Sequence, residues 1–208
     1  MQAEPTAGTQ RTRLFVYNGG FMTKRRIRRI LNLKGYDIRL GLPRENDVVG
    51  IWGNSPTAHR GLKIATQRGV PVHRVEDAFL RSLHPGRGGE PPLGLLIDRT
   101  GVHFDPSQPS DLETLLATHP LDDTALLNRA RYGAERMRDL HLSKYSAVDP
   151  TLPSPKPGYV LVVDQARDDA SVIASAGDEA RFREMLVMAQ EENPGARVLI
   201  KTHPETVA

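Results

Sequence analysis

Short apolar runs alternate with helix-length stretches, and this alternation narrows the fold more than any other feature of the chain. Leu14 to Tyr17 (LFVY), Asp47 to Trp52 (DVVGIW) and Val70 to Val75 read as buried strands. Between them, Thr23 to Lys34 carries Ile27, Ile30 and Leu31 at helical spacing, and Ala58 to Arg68 is a second helical stretch. Gly69 follows the latter, where a left-handed residue closes a helix. Strand, helix, strand, helix, strand is the order of a parallel sheet with helices on its faces.

Further on, Pro91-Pro92 opens Leu93 to Asp98 (LGLLID), and Arg99-Thr100-Gly101 turns toward Val102 to Phe104, which predicts a hairpin. Ser110 and Glu113 have capping-box spacing before a short helix to about Ala117. Asp123 to Leu142 is a longer helix with Leu127, Ala130, Ala134 and Met137 on one stripe. Residues 146–158 hold four prolines and a glycine, the composition of a linker. The α/β pattern then restarts. Tyr159 to Asp164 (YVLVVD) is a strand, Asp178 to Glu191 a helix with Phe182, Met185, Leu186 and Ala189 inward, and Arg197 to Lys201 (RVLIK) a strand.

The organisation expected is a disordered tail over 1–12, a Rossmann-like domain over 13–118, a connecting helix and linker over 119–158, and the start of a second α/β domain over 159–208. Two strands and one helix are too few to bury both faces of a parallel sheet. The second domain is therefore expected to be incomplete, as in a piece of a longer protein.

Composition excludes several classes. At 208 residues, 38% hydrophobic and 25% charged, the chain has the make-up of a globular protein with a real core. Without cysteine it has neither a disulfide scaffold nor a thiolate zinc site. The seven histidines share no ligand spacing, so no metal is expected. The first eleven residues lack a signal-peptide core, and no apolar run approaches membrane-span length, which suits a cytoplasmic protein. Net charge is only +3 and aromatics are 5%, so no nucleic-acid partner is expected.

Four clusters could carry chemistry. Glu76, Asp77, Arg81 and Ser82 follow a strand, where open α/β sheets bind ligands, although a solvated loop with a helix cap fits the spacing equally. Asp164 and Gln165 end another strand, with Asp168, Asp169 and Ser171 just after. These offer either a nucleophilic carboxylate or an N-cap. Lys201, His203 and Glu205 (KTHPE) lie past the last strand, suited to a phosphate or ribose or to an ordinary turn. Thr23 to Arg29 (TKRRIRR) places five cations on a helix, either for an anionic lipid surface or as a solvated face.

Taken in order, Trp52-Gly53, RVEDAFLRS (74–82), PPLGLLIDRTGVHFDPSQPSDLE (91–113), VLVVDQARDDAS (160–171) and VLIKTHPE (198–205) resemble the capsule polysaccharide biosynthesis and export proteins of the KpsC/LipB type. The family pattern runs E-D-G-F-L-R-S, P-P-L-S-x-x-x-D, D-Q-T-x-G-D-x-S, then K-x-H-P-D/E. This sequence departs from it with Ala78 for Gly, Ala166 for Thr and Asp168 for Gly. A glycine at 168 could serve a positive φ.

The resemblance implies an α/β, GT-B-like architecture of two Rossmann-like domains. It also implies a retaining transferase of Kdo (3-deoxy-D-manno-octulosonic acid), with CMP-Kdo as donor and no cofactor, building an oligo-Kdo linker on lyso-phosphatidylglycerol. Asp169 would be the nucleophile. Glu76, Asp77, Arg81, Ser82, Gln165, Asp168 and Ser171 would contact substrate, with Arg81 a candidate for the Kdo carboxylate, and Lys201, His203 and Glu205 would hold the nucleotide. These charges would line a cleft handling an acidic sugar. Further implied partners are the lipid-anchored glycan acceptor, the capsule export machinery and the inner-membrane surface. Because the family chain is longer, the isolated chain is expected to have little activity. The other expectation is a non-catalytic module that binds the polysaccharide–lipid anchor.

Overall fold

The computed structural model describes residues 11–203. Within them the chain divides into two compact units. The first runs up to Ser82 and adds Pro91–His103 and Gln108–Pro120. The second comprises Leu83–Glu90, Phe104–Ser107 and the chain from Leu121 on.

The first unit is a five-stranded sheet in the order β2-β1-β3-β4-β5. Its strands are β1 (Thr12–Val16), β2 (Tyr36–Arg39), β3 (Val48–Trp52), β4 (Val72–Asp77) and β5 (Leu95–Asp98). β1 pairs in parallel with both β2 and β3, and β3 with β4. Helices α1 (Gly20–Thr23) and α2 (Arg25–Leu33) lie between β1 and β2, and α3 (Ala58–Arg68) between β3 and β4. α2 buries Ile27 and Leu31 against Leu14, Val16 and Val48. α3 buries Ala58 and Ala65 against Val49 and Ile51, whose side chains alternate to the other face. The sheet is thus covered on both faces, as a parallel sheet requires. Gly69 closes α3 with φ of 64°. Gly61 lets α3 approach β3 closely, since a Cβ there would lie 2.5 Å from Ile51 Cγ2.

Several expectations are corrected. The stretch 23–34 is not one helix, because Lys24 is extended (φ −83°, ψ 95°) and separates α1 from α2. β2 was not expected, since YDIR is a four-residue edge strand with two charges and no apolar run. The sheet is mixed, because β5 runs antiparallel to β4. The predicted hairpin does not form, and 102–104 contain no strand. The reason is Asp98, whose carboxylate accepts from the backbone N–H groups of Thr100, Gly101 and Asp111 at 2.8–2.9 Å. These bonds steer the chain into α4 (Asp111–Thr118) instead of back along β5. α4 opens with the complete Ser110/Glu113 capping box.

The second unit holds α5 (Thr124–Asp139), a two-stranded parallel sheet of β6 (Tyr159–Val163) and β7 (Arg197–Lys201), α6 (Ala170–Ala174) and α7 (Glu179–Glu192). The stripe expected on α5 is not buried: Leu127 is half-buried and Met137 exposed. On α7, Phe182, Leu186 and Ala189 are half-buried, while Met185 is exposed. α6 escapes sequence periodicity because it is only five residues long.

Candidate functional site

In the first unit, the parallel strands β1, β3 and β4 end at Val16, Trp52 and Asp77, and these ends share one edge of the sheet. Gly53 N–H continues the ladder by donating to Val75 O at 3.0 Å. Its φ is +37°, and a Cβ there would fall 1.7 Å from Glu76 Oε1. The Trp52-Gly53 pair is thereby explained: the glycine leaves the space that the Glu76 carboxylate occupies.

Asp77 Oδ2 accepts from Arg81 Nε at 2.6 Å, and Arg81 Nη1 donates to Ser82 Oγ at 2.7 Å. Arg81 is 5% exposed and Ser82 is also buried. The guanidinium therefore fixes the loop after β4 and is not spread over the surface. Asp77 Oδ1 is buried with no hydrogen-bond partner among the described residues, an energetically costly state for a carboxylate oxygen. Ala78, like Asp168, is not among the positive-φ residues, so neither departure from a family glycine strains the backbone.

In the second unit, β6 and β7 lead into two loops at the same end of the small sheet. Asp164 N–H donates to Lys201 O at 3.0 Å and ties them together. Asp169 is the N-cap of α6: its Oδ1 accepts from Ser171 N–H at 2.8 Å and from Ser171 Oγ at 2.5 Å. Burial pushes this carboxyl up, but the two Ser171 bonds, helped by the charges of Lys144 and His203, outweigh it and hold it below the ordinary aspartate range. The group stays ionised at neutral pH, and Oδ2 accepts no hydrogen bond among the described residues. Ala166 is buried, and its carbonyl accepts from Asp169 N–H at 3.1 Å, so a methyl fills the place of the family's threonine. Gln165 and Asp168 are exposed. His203 is half-buried and Lys201 exposed. Glu205 lies outside the described residues.

Within this unit the structure brings Asp169, Ser171 and His203 together and adds Lys144, which sequence reasoning missed. Lys144 lies 25 residues upstream, and no motif marks it. Asp98 was also missed. It is 3% exposed, and burial raises its carboxyl while the N–H groups of Gly101, Thr100 and Asp111 bring it below the usual range. It is the last residue of the P-P-L-x-x-x-x-D stretch, and its role is to build the turn. No group of three His, Asp or Glu suited to a metal occurs among the described residues. No described helix is long and apolar enough to cross a membrane.

The chain is thus a mixed α/β protein with acids at parallel-strand tips, where open α/β sheets bind ligands, and a capped, ionised aspartate. The family model described as capsule polysaccharide biosynthesis protein matches residues 46–147 and 117–208. The chain belongs to that family, of the KpsC/LipB type its motifs resemble.

Among its relatives, the capsule polysaccharide modification protein LipA of Neisseria meningitidis serogroup A is 36% identical over 166 residues, 77% of this chain and 23% of LipA. The lipopolysaccharide-processing protein LpsZ of Rhizobium meliloti is 37% identical over 148 residues, 69% of this chain and 34% of LpsZ. The chain thus spans between about a quarter and a third of these relatives' length. Thermosulfurimonas dismutans KpsC, a β-Kdo 2,4 transferase, superposes with a TM-score of 0.82 at 30% identity, over 96% of this chain and 63% of that one. The β-Kdo 2,7 transferase structure of the same organism's KpsC, with a TM-score of 0.63 and 22% identity over 93% of this chain and 62% of its own, shares the fold. The fold is accordingly GT-B-like α/β.

Proposed function

We propose that the chain is part of a retaining glycosyltransferase that moves Kdo from CMP-Kdo to a lipid-anchored oligo-Kdo linker on lyso-phosphatidylglycerol. It would act in the cytoplasm, in the capsule export pathway. The observation that carries this reading is Asp169, an ionised carboxylate oriented by Ser171 through one oxygen while the other has no hydrogen bond among the described residues. Retention by two displacements needs such a group. Asp169 Oδ2 attacks the anomeric carbon, the bond to the CMP phosphate breaks, and its electron pair leaves with CMP. An acceptor hydroxyl then attacks the same carbon, the bond to Asp169 breaks with its electron pair returning to the carboxylate, and the hydroxyl proton passes to water. The leaving phosphate needs positive charge and not a strong acid. Lys201 and His203, with Glu205, are assigned to the nucleotide, and Lys144 adds a cation near the nucleophile. Glu76, over Gly53, is assigned to substrate. Asp77, Arg81 and Ser82 hold the strand tip from which it projects. Gln165 and Asp168 are exposed on the loop before Asp169 and are assigned to the sugar.

Two observations favour a non-catalytic module that binds the polysaccharide–lipid anchor. Asp169 already has a structural role as a cap, and Ala166 brings no hydroxyl to its loop. Intact-mass measurement separates the two readings. Full-length protein incubated with CMP-Kdo should gain one Kdo unit, and Asp169→Asn should abolish the gain. An unmodified mass for folded, full-length wild-type protein, or an adduct that survives Asp169→Asn, sinks the nucleophile.

A further inference from the structure

The cationic helix keeps two readings in the sequence, and its surroundings choose between them. Arg25, Arg28 and Arg29 recur three and four residues apart, so they share the face of α2 opposite the buried Ile27 and Leu31. Arg11, from the segment before β1, joins them. With Asn32 and Leu33, the four arginines line an open depression of about 340 Å³. All four are exposed, and among the described residues no carboxylate lines the depression and none of the four forms an ion pair.

This arrangement works against the helix. Like charges at these spacings repel, and cations in a first turn oppose the positive end of the helix dipole. Lys24 at the N-cap contributes no side-chain bond. Elsewhere the chain does the opposite. α4 begins with Asp111 and Glu113, and α7 with Glu179 behind an Asp178 cap. On α7 the arginines are neutralised, Arg181 by Glu184 and Arg183 by Glu179. A merely solvated face needs no such uncompensated convergence.

We infer that this depression is a binding site for a phosphate-bearing anion. Guanidinium forks match phosphate oxygens in geometry and charge, and four of them around one shallow hollow suit an exposed phosphate group better than an enclosed small molecule. Leu33, 79% exposed on the rim, offers an apolar contact where the phosphate belongs to a lipid headgroup. No aromatic among the described residues lines the hollow, so they offer none of the stacking that supports single-stranded nucleic-acid binding.

The test uses the whole chain as wild type and as Arg25→Gln/Arg28→Gln, with circular dichroism to confirm that α2 is retained. Lys63→Gln on α3 serves as a surface control. Two probes are applied: inorganic phosphate, read by shifts of arginine side-chain N–H signals, and phosphatidylcholine vesicles with or without phosphatidylglycerol, read by co-sedimentation. Binding to the anionic vesicles only, weakened about thirtyfold in the double variant, assigns a lipid source, since each surface cation is worth about fivefold. Shifts with inorganic phosphate and no vesicle binding assign a soluble source. No response to either probe overturns the inference. So does a response unchanged in the double variant, or a DNA duplex bound more tightly than both probes at equal salt.

Discussion

The two α/β units use the same kinds of apolar run and bury them very differently. In the first, Leu14, Val16 and Val49 are at most 1% exposed, because the sheet is five strands wide with α2 on one face and α3 on the other. In the second, Leu161 is 48% and Ile200 55% exposed, and Val162 is the only fully buried residue of β6 and β7. Periodicity therefore reports the type of an element, not how much it buries. Burial depends on how many layers and neighbours the chain supplies.

The largest expected effect is on local stability. Amides of β1 and β3 should exchange hydrogen at least about a thousandfold more slowly than those of β6 and β7, equivalent to roughly 4 kcal/mol between local and near-global opening. Residue-resolved exchange by NMR measures this. Equal protection in the two sheets would break the comparison.

Next in size is Asp98. Asp98→Ala should cost the first unit about 3 kcal/mol, because it strips the acceptor from three backbone N–H groups, the Gly101 one buried. Asp98→Asn should cost less, since its amide can still accept on one side. Trp52, the single tryptophan, lies in β3 and reports this unit selectively in urea melts. The charge adds a pH signature. The folded-state carboxyl lies below its unfolded value of about 4. Its contribution is therefore present above that pH and lost as pH falls through the folded value. Asp98→Asn should flatten this acid limb, and an unchanged limb would remove Asp98 as its cause.

A smaller effect is expected where α3 meets β3. Gly61→Ala gains about 1 kcal/mol of helix propensity but forces a methyl to 2.5 Å from Ile51 Cγ2. Overpacking costs about 1–3 kcal/mol, so the net change should be a loss of about 1 kcal/mol, read by the same Trp52 melt. A stabilised variant would show that the helix can slide and that the first unit is less tightly packed than its burial implies.

What was legible in the sequence was local. The bounds of α3, its Gly69 cap, β7 and the Ser110 capping box each depend on residues within a few positions of one another, and the structure has all four. What was not legible depends on distant partners. The chain after β5 turns into α4 and not into a hairpin because Asp98 gathers an N–H from Asp111, thirteen positions on. Gly53 is required by Glu76 on the neighbouring strand, and no spacing rule links those two positions. At the candidate site, sequence offered Asp169 as nucleophile or N-cap, and the geometry makes it a cap without removing its free oxygen. Lys144 became visible only through its charge at Asp169.

The smallest effect bears on that dual role. If Asp169 matters to the second unit only as a cap, Asp169→Ala should lower that unit's stability by about 1 kcal/mol, while Asp169→Asn, itself a good N-cap, should leave it nearly unchanged. Exchange rates of the α6 and β6 amides are the readout. The Asn variant keeps a side-chain oxygen for Ser171 N–H but loses the charge that Lys144 and His203 favour. Should Asn cost as much as Ala, the charge itself would be holding the loop, and a lost Kdo adduct in Asp169→Asn could then reflect a disturbed site. Should Asn leave the loop intact, the same loss of adduct would point to the missing nucleophilic oxygen.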